Sequence, residues 1–268
     1  MDLTITYWLL YAATGLITGV LAGLMGVGGG LVIVPALTMI FSAQGFPHEY
    51  LAHTVLGTSL ATIIFTSISS FRAHHKRGGV NWRIVRDITI GILAGTFCGS
   101  WVAAQLSTNF LKIFFAIFLL LVAAQMFLDF KPKASRDMPG VVGANLAGLL
   151  IGLVSALVGI GGGSMSVPFM IWCNVDTRNA IGTSAAIGFP IAIAGAAGYL
   201  VNGLKVTGLP EYSLGFIYLP ALLGVALLSI TTAPLGARLA HTLPIPVLKK
   251  GFAALLVLMA VRMLWKAI

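Results

Sequence analysis

The chain has 268 residues, of which 58% are hydrophobic and 9% charged, and its mean hydropathy is +1.00. A soluble domain carries roughly a quarter charged residues, so this composition excludes an ordinary water-soluble fold. The net charge of +9 is therefore read as a record of membrane orientation and not as a nucleic-acid footprint.

Apolar runs between polar breaks predict ten segments: Tyr7–Met25, Leu31–Ala43, Ala52–Phe71, Ile84–Leu106, Phe110–Phe130, Gly140–Val158, Ser164–Asn174, Ala180–Val201, Leu214–Gly236 and Pro246–Ile268. The start MDLTITYW has no basic n-region and no small-residue cleavage site, so the first segment is expected to be retained. Cys98 and Cys173 lie in apolar surroundings without a second cysteine at metal-site spacing, which predicts inert thiols, no disulfide and no metal centre. No cofactor motif is present. A dinucleotide loop starting at Gly26 needs glycine at position 31, where Leu31 stands, and no G-K-[ST] follows.

One hydrophilic linker, KPKASRDMP at 131–139, divides the chain into 1–130 and 140–268, with five segments on each side. The halves repeat one another. GVGGGLVIVP ending at Pro35 returns as GIGGGSMSVP ending at Pro168, and GTS at Gly57–Ser59 returns at Gly182–Ser184. Further on, Gly99, Lys112 and Met126 align with Gly236, Lys249 and Met263. Glycines, prolines and lysines in the same order are not a by-product of apolar composition. The expected fold is thus an all-α integral membrane protein of two repeats, each of about five helical segments.

Length and charge then predict topology. Leu31–Ala43 makes about 20 Å of helix, short of the ~30 Å hydrocarbon core, and Ser164–Asn174 is shorter still. Both are read as returning arms of re-entrant, broken helices whose tips are the glycine clusters. With both termini outside, the inner loops hold Arg72, Lys76, Arg77, Arg83, Arg86, Lys131, Lys133, Arg136, Arg178, Arg238, Lys249 and Lys250, leaving Lys112, Lys205, Arg262 and Lys266 outside. That bias places loop 72–86 and linker 131–139 in the cytoplasm. Five segments is an odd number, so the second repeat is inverted relative to the first.

A broken helix in lipid exposes backbone groups at a cost of several kcal/mol each, so it persists only inside protein or along a polar cavity. Inversion brings the two breaks toward the midplane from opposite faces, with the N-termini of the returning arms aimed at a shared centre. Free N–H groups and the positive end of the helix dipole make such a centre an anion site. The stripes Gly15, Gly19, Gly23 and Gly91, Gly95, Gly99 are read differently, as close helix contacts.

Hydroxyls supply a second set of donors. Thr54, Thr58, Thr62, Thr66 and Ser70 recur every four residues, and Thr58, Ser59, Thr183 and Ser184 recur by repeat symmetry. Ser164 stands where the first repeat has Leu31, which predicts an asymmetric site. Every acid falls in a loop or near a segment end, leaving no carboxylate at depth for a proton relay or sodium site. The basic run RAHHKRGG at Arg72–Gly79 is expected to be a solvated cytoplasmic loop.

The doubled G-[VI]-G-G-G-x-x-x-V-P, each followed by G-T-S, resembles the sulfite exporter TauE/SafE family of membrane permeases, over nearly the whole chain. The resemblance implies a plasma-membrane transporter for sulfite, a sulfonate or a related sulfur oxyanion, with no cofactor. It further implies a substrate site lined by Gly28, Gly29, Gly30, Thr58 and Ser59 with Gly161, Gly162, Gly163, Thr183 and Ser184, to which the residue reading adds Ser164. A transporter or channel for another small anion remains open, as does an intramembrane enzyme. The oligomeric state is not indicated.

Overall fold

With no water to bond in a bilayer core, apolar runs of this length satisfy their backbone as helix. The computed structural model describes residues 3–26, 28–128, 135–242 and 245–265. In chain order these form α1 (Leu3–Met25), α2 (Gly30–Ala43), α3 (His48–His75), α4 (Trp82–Ala104), α5 (Thr108–Phe127), α6 (Val141–Val158), α7 (Gly163–Trp172) and α8 (Thr177–Gly203). A two-residue antiparallel pair, β1 (Ser213–Leu214) and β2 (Ile217–Tyr218), precedes α9 (Leu219–Thr242) and α10 (Ile245–Trp265). Among the described residues, seven helices are long and apolar enough to cross a membrane. The chain is an all-α integral membrane protein. The first part of the expected linker, 131–134, lies outside the described residues.

The ninth segment departs from the expected boundary. Leu214 belongs to the β-pair and helix begins at Leu219, because Gly215 at φ 56° turns the chain back on itself. The basic run also differs: helix α3 continues through His75, and His74 is buried while His75 and Lys76 are exposed. Lys112, a charge at a segment end, is buried on α5. Of the cysteines, Cys173 is buried and Cys98 is exposed on α4.

Helices α3 and α8 form the centre, buried along most of their length. They run antiparallel, since Gly195 abuts Leu60, Gly188 faces Ser67 and Gly182 meets His74. Helix α1 packs parallel to α9, and α4 packs parallel to α6, through the glycine stripes. Exchanging each helix for the one five places on maps α1–α9 onto α6–α4 and α2–α3 onto α7–α8, while α3–α8 and α5–α10 map onto themselves. The outer helices present Ile90, Leu121, Val142 and Leu227 to the exterior, which is the expected face toward lipid.

The α4–α6 seam shows why glycine is needed there. A Cβ on Gly95 would strike the Leu149 carbonyl, with Leu149 C at 2.7 Å. Gly95→Ala is expected to cost about 1–3 kcal/mol through overpacking, lowering the thermal unfolding midpoint. Gly140→Ala, which meets nothing within 4 Å, leaves the midpoint unchanged. Equal midpoints for the two variants would refute tight packing of this seam.

Candidate functional site: the paired helix breaks

The two breaks have matching ends, while between them Gly28 is left-handed at φ 72° and its counterpart Gly161 is not. Gly26 and Gly159 end α1 and α6 in left-handed conformation, at φ 67° and 68°, and Gly29 and Gly162 start α2 and α7 at φ 83° and 74°. These dihedrals are open to glycine at little cost and to other residues only with strain. Pro35 and Pro168 follow six residues later and cannot donate to the carbonyls of Leu31 and Ser164. Helix α2 then doubles back along α1, where Tyr7 Oη donates to Ala43 O (3.1 Å) and Tyr11 Oη to Gln44 Oε1 (2.8 Å). At the foot of the second hairpin, Trp172 Nε1 donates to Ser135 Oγ (2.8 Å), and Arg136 lies 5.1 Å from the Trp172 ring centre.

The two hairpins meet tip to tip. A Cβ on Gly28 would lie 3.3 Å from Gly161 Cα, and one on Gly30 would lie 2.6 Å from Gly159 O and 2.8 Å from Ile160 Cα. Gly28, Gly29, Gly30, Gly161, Gly162 and Gly163 are all buried. The structure thus brings the six glycines of the expected site together.

The serines of the doubled GTS join the two hairpins. Ser59 Oγ donates to Gly159 O (2.8 Å) and Ser184 Oγ donates to Gly26 O (3.0 Å). Each serine therefore satisfies a break carbonyl in the opposite half of the chain. Ser166 Oγ in turn donates to Ser184 Oγ (2.9 Å). The threonines hold loops instead of breaks. Thr58 Oγ1 accepts from Tyr218 N and Thr183 Oγ1 from Asn81 N, both at 2.9 Å. The rest of the α3 stripe turns inward on its own helix at three positions: Thr54 Oγ1 donates to Tyr50 O (3.0 Å), Thr62 Oγ1 to Thr58 O (2.8 Å) and Thr66 Oγ1 to Thr62 O (3.2 Å).

Three further residues take part. His74 Nε2–H donates to Gly23 O (2.9 Å), and Tyr199 Oη donates to Ala156 O (3.0 Å), one turn before the two breaks. They occupy equivalent places in α3 and α8 with unlike side chains. The four-residue stripe carried one step beyond Ser70 lands on His74, a signal hidden by the basic letters around it. Ser155 is the third. It is fully buried, its hydroxyl would lie 3.4 Å from a Cβ on Gly162, and its Oγ has no hydrogen-bond partner among the described residues. Ser164 Oγ, in the first turn of α7, is likewise buried without a partner. A buried hydroxyl left unpaired costs about 1–3 kcal/mol. The equivalent first-half positions are Ala22 and Leu31. Among the described residues, the two unpartnered hydroxyls at the junction both belong to the second half.

Apolar helices of membrane length and two broken hairpins buried tip to tip are the build of a multi-pass membrane transporter. The sequence comparisons then place the chain in a family: residues 11–263 match the model of the sulfite exporter TauE/SafE family, and the chain belongs to that family. A probable membrane transporter protein from Haemophilus influenzae is 40% identical over 267 residues, covering 97% of this chain and 99% of that protein. Another from Methanocaldococcus jannaschii is 31% identical, covering 84% and 83%, and one from Bacillus subtilis is 29% identical, covering 70% and 77%. No solved structure matches the chain.

Proposed function

We propose that this transporter exports a small sulfur oxyanion, sulfite or an organosulfonate, across the plasma membrane through the paired breaks. On this reading residues 1–130 and 140–268 are inverted repeats joined by a cytoplasmic linker at 131–139, with both termini outside. The antiparallel course of α3 and α8 supports the inversion. The observation that carries the function is the pair of buried, unpartnered hydroxyls, Ser155 and Ser164, beside the N-terminus of α7. Hydroxyls and free N–H groups are anion donors, and no carboxylate of the described chain lines the junction to repel one. An anion held by O–H and N–H donors without a cation is bound and still released. The surrounding glycines allow it to approach backbone N–H groups closely.

Activity and stability separate this reading from a packing role. Ser155→Ala and Ser164→Ala each remove a hydrogen bond to a charged ligand, worth about 1.5–3 kcal/mol, so the KM for sulfite efflux from proteoliposomes at a set potential is expected to rise ten- to a hundredfold. Thermal stability stays level or increases, because the hydroxyl that is lost bonded to nothing in the protein. A fall in stability with unchanged KM would overturn the site. If sulfite stays inside while taurine, sulfoacetate or thiosulfate moves, the site stands and the substrate is reassigned.

A further inference from the structure

Away from the breaks, a 610 Å³ cavity opens between the C-terminal halves of α3 and α9. Arg72 lines it from α3, Lys76 and Arg77 from the turn that ends α3, and Arg238 from α9, and no carboxylate does. Among the described residues, Asp87 pairs with Arg83 and Arg86 on α4, away from this cavity. Basic residues at helix C-termini are expected from the dipole and from membrane orientation. Those effects alone place cations on a rim, toward lipid headgroups. Here α3 with its closing turn and α9 bring four of them onto one concavity, with Ser69 at its wall and its hydroxyl donating to Ile230 O (2.7 Å).

A run of buried hydroxyls leads from the cavity lining toward the second break. Thr66 and Ser229, one turn from the lining, share a buried hydrogen bond of 2.6 Å. Next to them Ser67 faces Gly188, whose own Cβ position is 3.2 Å from Gly161 O in the second break. At about 30 Å³ per water in the liquid, the cavity holds an oxyanion together with much of its hydration shell. A site so wide does not grip by fitted hydrogen bonds. It concentrates charge, as clefts lined by one sign do.

We infer that the α3–α9 cavity is a loading site for a free, doubly charged oxyanion, which it holds hydrated before delivery to the breaks. This rests on the sulfur-oxyanion reading above. A phosphate headgroup of an anionic lipid shares the chemistry, but the inference commits to the free anion because the cavity is an aqueous-sized concavity continued inward by serine and threonine.

Equilibrium binding of radiolabelled sulfite to the purified protein in lipid-free detergent tests it. Wild type is expected to show a tight class, from the breaks, and a weak class abolished by 500 mM KCl, since screening at that salt acts over a few ångströms. The triple variant Arg72→Gln, Lys76→Gln, Arg77→Gln raises the dissociation constant of the weak class at least tenfold and leaves the tight class intact. Ser155→Ala with Ser164→Ala does the reverse, so failure of the central site and failure of the loading site give different isotherms. A triple variant with an unchanged weak class, or a wild type without one, overturns the inference. So does phosphatidylglycerol that copurifies with wild type, is lost from the triple variant, and is accompanied by no weak sulfite class.

Discussion

Gly29→Val and Gly162→Val are each expected to abolish transport while Gly45→Val retains it. All three glycines have φ between 74° and 83°, so valine pays the same left-handed penalty, about 1–2 kcal/mol, at each. What differs is the surroundings. A Cβ on Gly29 would lie 3.1 Å from Thr18 O, and one on Gly162 would run into Ile191 Cδ1, whereas nothing lies within 4 Å at Gly45. Overpacking adds about 1–3 kcal/mol at the two breaks and moves the hairpin tips that meet across the junction. Sulfite efflux measured beside monodispersity and thermal midpoint decides the matter. If all three variants lose activity together, strain in the backbone is the cause and the junction is not specifically required. If the break variants stay folded and transport at the wild-type rate, the glycines are packing residues and the anion site lies elsewhere.

The second large effect belongs to Ser59 and Ser184. Replacing either by alanine leaves a break carbonyl, Gly159 O or Gly26 O, buried without its donor, at about 1–3 kcal/mol. Ser184→Ala should be the more damaging, because Ser166 Oγ also loses its acceptor. Both substitutions are expected to lower the thermal midpoint and transport together, in contrast to Ser155→Ala and Ser164→Ala, which lower transport alone. A double-mutant cycle sharpens this. The two struts brace one junction, so the combined loss should depart from the sum of the single losses. Additive losses would mean that the two hairpins are held independently.

Much of this architecture is written in letters that apolar composition does not produce by itself. Both helix breaks, the returning arms and the doubled GTS stand out because glycine, proline and hydroxyl residues interrupt long apolar runs at matching places. Burial is harder to read at single residues: Lys112, a charge at a segment end, is buried on α5. His74 and Tyr199 escape a repeat comparison because their side chains differ, although both make the same bond to the turn before a break. Their equivalence follows from counting along each helix from the doubled GTS, since each lies sixteen residues beyond its threonine, Thr58 or Thr183. Ser155 escapes for the opposite reason. Its counterpart is Ala22, so symmetry directs attention away from the residue, and a lone serine in an apolar helix is ordinarily bonded to its own backbone. The β1–β2 turn is equally hidden, since SLGFIY reads as the start of the apolar run that follows.

The cross-bracing of the breaks has a bearing on how the chain is made. Gly26 O receives its bond from a serine 158 residues further along, and Gly159 O from one 100 residues back. Helix α1 finds its partner in α9, α3 in α8 and α4 in α6, so the first half leaves the ribosome with its principal contacts still unsynthesised. The first hairpin is therefore threaded into the membrane with an exposed carbonyl and an unpaired glycine seam, and holds that state until α8 and α9 arrive. The α4–α6 seam can close once α6 is made, but the α1–α9 seam and the bond to Gly26 O wait for the second half, and that interval is when this chain is most open to misassembly and proteolysis.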